Sequence, residues 1–294
     1  MIYLNGEFMP LAQAKIPVLD RGFIFGDGVY EVVPVYSGHP FRLGEHLRRF
    51  QNSMDTIQIG NPHSNEEWTR LTIEIVKLNG GGDQQVYYHV TRGVAPKRDH
   101  ALTKGIVPTV FMMANPLVTP PPEQVANGVA TVSSDDNRWL RCDIKSISLL
   151  ANCLKRQYAL DQDAAEVVMF RDGFLTEGSA SNILVVKGGT LLAPPKDNLI
   201  LPGITYDVIL ELAQANGVPV AVRRIAESEV RSADELWLTS STKEVLAIST
   251  LDGKPVGPEK ADDGKAGRPG PLFRKMHAWY QEFKRAVMRA PETA

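Results

Sequence analysis

The chain has 294 residues, of which 43% are hydrophobic and 22% are charged, as in ordinary globular proteins. Its length predicts about two domains, and its net charge of -2 gives no electrostatic basis for binding nucleic acid or an anionic membrane. Cys142 and Cys153 cannot form a disulfide framework, and no cysteine–histidine spacing indicates a metal site. The first residues carry no basic segment, and no apolar run approaches the ~18–20 residues of a membrane span, so we expect a cytoplasmic protein.

The first third of the sequence predicts hairpins and two amphipathic helices. Asn-Gly and Ser-Gly pairs between β-rich runs are typical of tight turns. Apolar residues at three- and four-residue steps indicate helices. The predictions are turns at Asn5-Gly6 and Ser37-Gly38, helices beginning at Leu43 and at Asn65 as N-cap, and strands at residues 85–92 and 107–114.

A proline-rich stretch at residues 116–122 is the clearest break in composition. Consecutive prolines favour extended backbone, so this stretch is interpreted as a stiff linker between a domain of residues 1–115 and a domain of residues 123–294. The pattern predicts an α+β fold in two domains, for which a ligand cleft between the domains is a common arrangement. In the second domain we expect strands at 166–170 and 182–186, hairpin turns at 171–173 and 188–189, a helix at 206–215, a mobile loop at 257–270, and a C-terminal helix carrying Phe273, Trp279, Phe283 and Val287.

The segment Asp143-Ile144-Lys145-Ser146 contains a lysine beside apolar residues. A lysine that loses solvation favours the neutral amine, which is the nucleophilic form. A single lysine in such a place is more often a solvated surface charge. The segment alone therefore does not establish a catalytic role.

Three further segments offer polar groups to a small ligand. Residues 176–182 place Glu177 before small hydroxyl and amide side chains, residues 201–205 open a helix whose first amides suit an anion, and residues 238–242 are rich in hydroxyl groups. Each also has a structural explanation: a Gly/Ser turn, an ordinary helix start, and a strand end rich in β-formers. The sequence has no Walker-type Gly-Lys-Ser/Thr motif, so a nucleotide phosphate in a P-loop is excluded.

Taken together and in this order, these segments resemble the class IV (fold type IV) aminotransferases, which use pyridoxal 5'-phosphate (PLP). The resemblance implies a smaller N-terminal α/β domain, a C-terminal pseudo-barrel domain that binds PLP, a cofactor cleft between the two, and a homodimer. The motifs that carry it are Asp20-Arg21-Gly22, Phe25-Gly26-Asp27-Gly28, the Lys145 segment, Glu177-Gly178-Ser179 and Pro202-Gly203-Ile204-Thr205.

The resemblance also implies a role for each site residue. Lys145 would bind the cofactor covalently and transfer the substrate proton, and Glu177 would keep the pyridine nitrogen protonated so that the ring acts as an electron sink. Arg49 would bind the cofactor phosphate; without the resemblance it is an ordinary helix-surface arginine. The other implied cofactor residues are Ile204, Thr205, Ser240 and Ser241 at the phosphate, Leu201 against the ring face, and Arg138 near the cofactor and its lysine.

Within that family, residues 28–33, 91–93 and 138–145 are most similar to the D-amino acid aminotransferases. In that group an Arg-x-His on a loop from the partner subunit, with a tyrosine from the same subunit, binds the substrate α-carboxylate. The corresponding residues are Arg98, His100 and Tyr30, and a guanidinium fork matches a planar carboxylate. Pro96-Lys97 lengthens this loop relative to the family pattern, which leaves Lys97 as an alternative for the role of Arg98.

The implied reaction is transamination between a D-amino acid, of the D-alanine or D-glutamate type, and a 2-keto acid such as 2-oxoglutarate. A branched-chain L-amino acid aminotransferase would share Lys145 and Glu177 but lack the Arg-x-His loop, and an (R)-amine transaminase would need no carboxylate trap. An aminodeoxychorismate lyase tends to carry threonine where this chain has Glu31 or Val32. A non-catalytic binding protein would have no need for Lys145, Glu177 and the phosphate-binding residues together.

Overall fold

The computed structural model describes residues 1–102, 104–257 and 267–290 of the chain. These residues form two compact units. Among the described residues, the first unit contains those of 1–117, 144–149 and 285–290, and the second contains those of 118–143 and 150–284. The division at 117/118 falls inside the stretch predicted as a linker.

Backbone pairing explains why residues 144–149, which carry Lys145, belong to the first unit. Ser146 forms an antiparallel β-bridge with Val29, and the Tyr30 amide donates to the Lys145 carbonyl at 2.9 Å. Ile144 is buried in the hydrophobic core of the same unit. The structure therefore differs at this segment from an assignment of residues 123–294 to one continuous domain.

The first unit is a six-stranded antiparallel sheet with two long helices packed against it. Its strands, in the sheet order β2-β1-β6-β5-β3-β4, are β1 (Ile2–Leu4), β2 (Glu7–Met9), β3 (Gly28–Tyr36), β4 (His39–Pro40), β5 (Gln84–Thr91) and β6 (Thr109–Pro116). Its helices are the short α1 (Arg21–Phe25), α2 (Leu43–Thr56) and α3 (Asn65–Leu78), and a 3-10 turn spans Leu11–Gln13.

The core of this unit forms where the apolar faces of α2 and α3 meet the sheet. The aromatic rings of Phe50, Trp68 and Tyr88 pack edge-to-face with centroids 5.5 to 5.9 Å apart. The two helices predicted from the spacing of apolar residues are therefore confirmed as α2 and α3. The N-cap of α3 is Ser64, whose hydroxyl accepts from the Glu67 amide, rather than Asn65 as predicted.

The second unit is a nine-stranded mixed sheet with helices. Its strands are β7 (Val129–Asp135), β8 (Glu166–Arg171), β9 (Phe174–Leu175), β10 (Asn182–Lys187), β11 (Thr190–Ala193), β12 (Val220–Val222), β13 (Glu235–Ser240), β14 (Glu244–Leu251) and β15 (Lys254–Pro255). Their order is β12-β11-β10-β13-β14-β7-β8-β9, with β15 paired to β14. Its helices are α4 (Pro122–Asn127), α5 (Leu150–Asp161), α6 (Ile204–Ala215), α7 (Glu227–Arg231) and α8 (Pro271–Phe283).

The four predicted hairpin turns are present. Each contains a non-glycine residue and a glycine, or two glycines, at positive φ, as short β-hairpin loops require. The turns at Asn5-Gly6 and Ser37-Gly38 join β1 to β2 and β3 to β4, and those at Asp172-Gly173 and Gly188-Gly189 join β8 to β9 and β10 to β11. Helix α6 begins at Ile204, two residues before the predicted start.

The C-terminal helix is confirmed, but its predicted buried face is wrong in part. Helix α8 buries Phe273, Met276 and Tyr280. Residues 284–288 then form a π-helical turn, in which Met288 is buried and Val287 is 48% exposed. The wider π-turn delays the buried position by one residue relative to an α-helical period. The predicted loop at 257–270 lies largely outside the described residues.

The α+β fold class in two units is confirmed by this architecture. No helix in the described part of the chain is long and apolar enough to cross a membrane.

Candidate active site

The first unit holds Lys145 beside strand β3. The Lys145 amide donates to the Ser53 hydroxyl at 3.2 Å, and its carbonyl accepts from the Tyr30 amide at 2.9 Å. The Lys145 side chain is half-buried, and Nζ lies 4.3 Å from the centroid of the Tyr30 ring. Two of the predicted residues, the lysine and the tyrosine, are therefore brought into contact, with a primary amine over an aromatic face.

A buried charge cluster lies next to Tyr30 in the same unit. The carboxylate of Glu31 accepts from Arg49 Nε at 2.9 Å and from Arg49 Nη2 at 2.5 Å, and His46 Nδ1 lies 3.0 Å from its Oε1. Burial raises the pKa of Glu31, but the Arg49 charge and the His46 hydrogen bond outweigh burial and hold that pKa well below its usual range. Arg49, the predicted phosphate ligand, thus has its orientation fixed by Glu31.

Burial lowers the pKa of His46, although the hydrogen bond that the ring makes to Glu31 opposes the shift, so burial favours the neutral imidazole. A neutral ring that donates from Nδ1 to Glu31 leaves Nε2 as an acceptor. Nε2 is buried and has no hydrogen-bond partner among the described residues. Sequence reasoning gave no role to Glu31 or His46. The available signals were a carboxylate inside the apolar run of β3 and an i, i+3 pair of polar residues on the buried side of α2.

The predicted substrate loop forms a small exposed cluster on Phe25, at the end of α1. The Arg98 guanidinium lies 5.2 Å from the Phe25 centroid, and the His100 ring lies 5.3 Å from it. Both side chains are exposed. Within the described residues, no hydrogen bond or ring contact joins either of them to Tyr30.

Arg21, which sequence analysis treated only as part of a motif, anchors that loop. Its Nη1 donates to the Asp99 carbonyl at 2.6 Å, and its Nε donates to Asp27 at 2.7 Å. Lys97, the alternative to Arg98, is 76% exposed at its side chain and pairs with Asp99 at 3.1 Å. The loop therefore presents Arg98 and His100 on one aromatic ring, while Lys97 is paired within the loop.

In the second unit, Glu177 is a buried carboxylate with three donors. Its Oε1 accepts from Arg138 Nη1 at 2.6 Å, and its Oε2 accepts from the Leu201 amide at 3.0 Å and from Asn182 Nδ2 at 3.2 Å. Burial raises the pKa of Glu177 to about 7, although the Arg138 charge opposes the rise. A carboxyl group with such a pKa can share a proton with a basic ring nitrogen near neutral pH.

Arg138 is itself held by Asp136, a residue that sequence reasoning did not identify. Asp136 accepts from Arg138 Nε at 2.9 Å and from Arg138 Nη2 at 2.8 Å, and it also pairs with Arg171 Nη2 at 3.1 Å. Burial raises the pKa of Asp136, but the hydrogen bonds and charge of Arg138 outweigh it and lower that pKa to about 2. Asp136 is therefore an ionised carboxylate near neutral pH.

The N-terminus of α6 lies at the same end of the sheet as Glu177. Asn182 connects the two, because its Nδ2 donates to Glu177 and to the Leu201 carbonyl at 3.0 Å. A Cβ at Gly203 would lie 2.1 Å from Asn182 Oδ1, so only glycine allows this approach. No side chain caps α6 at Gly203, which leaves the first helical amides available to an anion.

The predicted hydroxyl donors belong to the adjacent strand end. Asn182 on β10 pairs in register with Thr239 on β13, and Ser240 is the next residue. The Ser240 hydroxyl accepts from the Lys243 amide at 3.1 Å, which shapes the turn that also contains Ser241. The second unit thus brings Glu177 and Leu201 together with the four residues predicted at the phosphate, Ile204, Thr205, Ser240 and Ser241.

The family model for amino-transferase class IV matches residues 28–251 of the chain. The chain belongs to this family. A D-alanine aminotransferase of Bacillus licheniformis is 38% identical over 280 residues, which cover 95% of each chain. The D-alanine aminotransferase of Staphylococcus aureus (strain MW2) is 36% identical over 282 residues, covering 96% of this chain and 97% of the relative.

Solved structures give the same result at the level of the fold. A branched-chain amino acid aminotransferase from T.th., solved with pyridoxamine 5'-phosphate, superposes with a TM-score of 0.87 at 26% identity and covers 99% of this chain and 95% of its own. The Escherichia coli branched-chain enzyme has a TM-score of 0.84 at 22% identity, covers 99% of this chain and 96% of its own, and shows the fold alone. The resemblance drawn from the motifs is confirmed, and this class IV protein is an aminotransferase.

Proposed function

We propose that this aminotransferase transfers amino groups between D-amino acids, of the D-alanine or D-glutamate type, and 2-keto acids such as 2-oxoglutarate. The observation that carries the proposal is the 38% identity with a D-alanine aminotransferase across 95% of both chains. We further propose that the cofactor is PLP. A solved relative of the same fold contains the pyridoxamine form of that cofactor.

The donor set of the chain fits PLP. The first unit offers the Lys145 amine and the Arg49 guanidinium, which suit an aldehyde carbon and a phosphate. The second unit offers the buried Glu177 carboxylate, which suits a basic ring nitrogen. The remaining residues proposed to bind the cofactor are Leu201 at the ring face, Ile204, Thr205, Ser240 and Ser241 at the phosphate, and Arg138 behind Glu177.

When bound, PLP supplies an electron sink for the electrons released at the substrate Cα. The residues of the chain then have separate tasks. Lys145 Nζ would hold the cofactor covalently and, once the incoming substrate amine has displaced it, would carry the substrate proton, because a free primary amine can act as a nucleophile and as a base. Glu177 would hold the proton at the pyridine nitrogen, since a buried carboxylate stabilises a positive charge beside it.

Substrate binding is proposed to involve Tyr30 of one subunit and Arg98 and His100 of a second copy in a homodimer. The exposure of Arg98 and His100 on the Phe25 ring supports this arrangement. A guanidinium binds a carboxylate with two parallel hydrogen bonds, so an α-carboxylate is the substrate group that this loop suits.

A branched-chain L-amino acid aminotransferase is the alternative, because solved enzymes of that name share the fold. The two functions are separated by product analysis. The protein should form pyruvate and D-glutamate from D-alanine and 2-oxoglutarate, and the glutamate should be assigned by chiral chromatography. L-Glutamate formed from L-leucine at a comparable or higher rate would replace the proposed function with the alternative.

A further inference from the structure

Four charged side chains form a continuous buried series in the second unit. Arg171 pairs with Asp136, Asp136 with Arg138, and Arg138 with Glu177. The side chain of Asp136 is 0% exposed, and those of Arg138 and Glu177 are 5% and 6% exposed. Burying so many charges is costly unless each is paired, so their arrangement is closely determined.

The guanidinium of Arg138 binds Asp136 with one pair of nitrogens and Glu177 with the third nitrogen. Nε and Nη2 donate as a fork to the two oxygens of Asp136, at 2.9 and 2.8 Å. This fork fixes the plane of the guanidinium and directs Nη1 to Glu177 Oε1, at 2.6 Å. Arg138 therefore reaches Glu177 in an orientation that Asp136 sets.

Asp136 is in turn held on its other sides. Its Oδ2 accepts from the Thr176 hydroxyl at 2.8 Å, its Oδ1 accepts from the Arg138 amide at 3.2 Å, and Oδ1 also forms an ion pair with Arg171 Nη2 at 3.1 Å. Thr176 directly precedes Glu177 in the chain. The same carboxylate thus fixes both the arginine that contacts Glu177 and the backbone turn from which Glu177 projects.

We propose that Asp136 is a positioning residue that locks Arg138 and the Thr176 turn so that the Glu177 carboxylate is aligned with the cofactor ring nitrogen. This inference rests on the proposed function, since it concerns the group that Glu177 serves. An asparagine at this position retains the size of the side chain but replaces one acceptor oxygen with an NH2 donor. That donor faces an N–H of Arg138, so the fork is broken and Nη1 is no longer directed to Glu177.

The change in net charge caused by Asp136→Asn should also disfavour protonation of the ring nitrogen, as the loss of the fork does. Asp136, Glu177, Arg138 and Arg171 together are neutral when all are ionised. Asp136→Asn gives the group a net positive charge, which opposes a proton on a ring nitrogen beside Glu177. Arg171→Gln is the matched control: it also removes an ion pair from Asp136, but Arg171 does not contact Glu177 and its loss makes the group negative.

The test measures the ring nitrogen directly in protein loaded with ring-labelled PLP, using 15N NMR at neutral pH, together with the dissociation constant of PLP. We expect Asp136→Asn to shift the 15N signal toward that of the unprotonated ring and to weaken PLP binding by about tenfold, which is about 1.4 kcal/mol. Arg171→Gln should leave the 15N signal at the protonated position. Thr176→Val, which removes one hydrogen bond to Asp136, should give a smaller shift in the same direction as Asp136→Asn.

A purely structural role would lower the melting temperature of Asp136→Asn without moving the 15N signal, and that result would overturn the inference. An equal shift in Arg171→Gln would overturn it too. If Asp136→Asn does not fold, Thr176→Val decides, and an unchanged 15N signal in that variant refutes the alignment role. A wild-type protein that takes up no PLP would overturn both the proposed function and this inference, whereas a PLP-binding wild type with unaffected variants overturns this inference alone.

Discussion

Glu31 and Arg49 form a bidentate ion pair inside the first unit, in which Arg49 Nε and Nη2 donate to the two carboxylate oxygens at 2.9 and 2.5 Å. The side chain of Glu31 is 0% exposed and that of Arg49 is 9% exposed. The pair joins strand β3, which carries Tyr30, to helix α2, which carries the proposed phosphate ligand. It therefore couples the orientation of Arg49 to the strand that contacts Lys145.

Glu31→Gln should destabilise the protein strongly, because it removes the negative charge that pairs with the buried Arg49 guanidinium. Loss of one partner of a buried pair costs about 3–5 kcal/mol. Urea unfolding of the wild type and the variant measures this difference. Glu67→Gln, which breaks the exposed pair with Arg70, is the control and should change stability far less. An equal loss in the free energy of unfolding for the two substitutions would show that the buried pair stabilises the protein no more than the exposed pair does.

The pH dependence of stability gives a second test of the same cluster. The pKa of Glu31 is lowered in the folded protein, whereas a glutamate in the unfolded chain has a pKa of about 4.3. The ionised side chain therefore stabilises the folded state above that pKa, and this stabilisation is lost as the pH falls below it. The wild type should therefore lose stability steeply below about pH 4.3. Glu31→Gln should show a shallower loss over the same range, as followed by urea unfolding in acidic buffers. Identical slopes would exclude Glu31 as a source of acid sensitivity.

In the cofactor-free protein, Glu177 should make stability depend on pH in the opposite direction from Glu31. Burial raises its pKa to about 7, so the folded state binds this proton more tightly than the unfolded chain, whose value is about 4.3. The protonated side chain therefore stabilises the folded state fully at a pH below the pKa of the unfolded chain, and this stabilisation is lost as the pH rises to about 7. Glu177→Gln should remove that part of the decline. A pH profile unchanged by the substitution would contradict the raised pKa.

Lys145→Ala should abolish transamination and leave PLP bound only noncovalently, because both covalent attachment and proton transfer require this amine. Borohydride reduction followed by peptide mass spectrometry should find the cofactor on the peptide that contains Lys145. Lys155→Ala is a suitable control, because Lys155 Nζ donates to the Ser134 hydroxyl at 2.7 Å. Cofactor recovered on Lys155 or Lys187 would mean that the attachment site is misassigned.

Arg98→Ala should weaken D-alanine binding by more than about tenfold, since loss of a partly desolvated charge pair costs about 2–5 kcal/mol. PLP binding should be retained. Turnover of an (R)-amine, which has no carboxylate, should change little. Lys97→Ala is the matched control, because Lys97 pairs with Asp99 and is exposed. If only the Lys97 variant loses D-alanine activity, the carboxylate-binding residue is Lys97 and not Arg98.

Much of this structure could be predicted from local patterns, because hairpin turns and amphipathic helices depend on nearby residues. The turn at Asn5-Gly6 and the buried face of α2 are examples. The π-helical turn after Phe283 was not predictable from an α-helical period, since it places Met288 rather than Val287 in the core. Residues 144–149 join the first unit through a bridge to Val29 that is distant in sequence, and no local pattern reports such a pairing.

The residues of the candidate site also include some that could be predicted from the sequence and some that could not. Lys145 and Glu177 were identified because they lie in recognisable motifs. Asp136 and Glu31 were not, because their roles depend on partners that only the fold brings near, namely Arg138 with Arg171 and Arg49 with His46. A charged residue in a strand indicates a buried partner, but the sequence does not say which residue it is.

The most direct test of the account is the first half of the reaction with pairs of enantiomers. The visible absorbance of the bound cofactor should be followed after mixing the PLP-loaded protein, without a keto acid, with D-alanine, L-alanine, D-glutamate, L-glutamate or L-leucine. We predict rapid loss of the visible band with D-alanine and D-glutamate and a much slower loss with each L-amino acid. Preferential reaction with L-leucine or L-glutamate would contradict the central claim that this aminotransferase acts on D-amino acids.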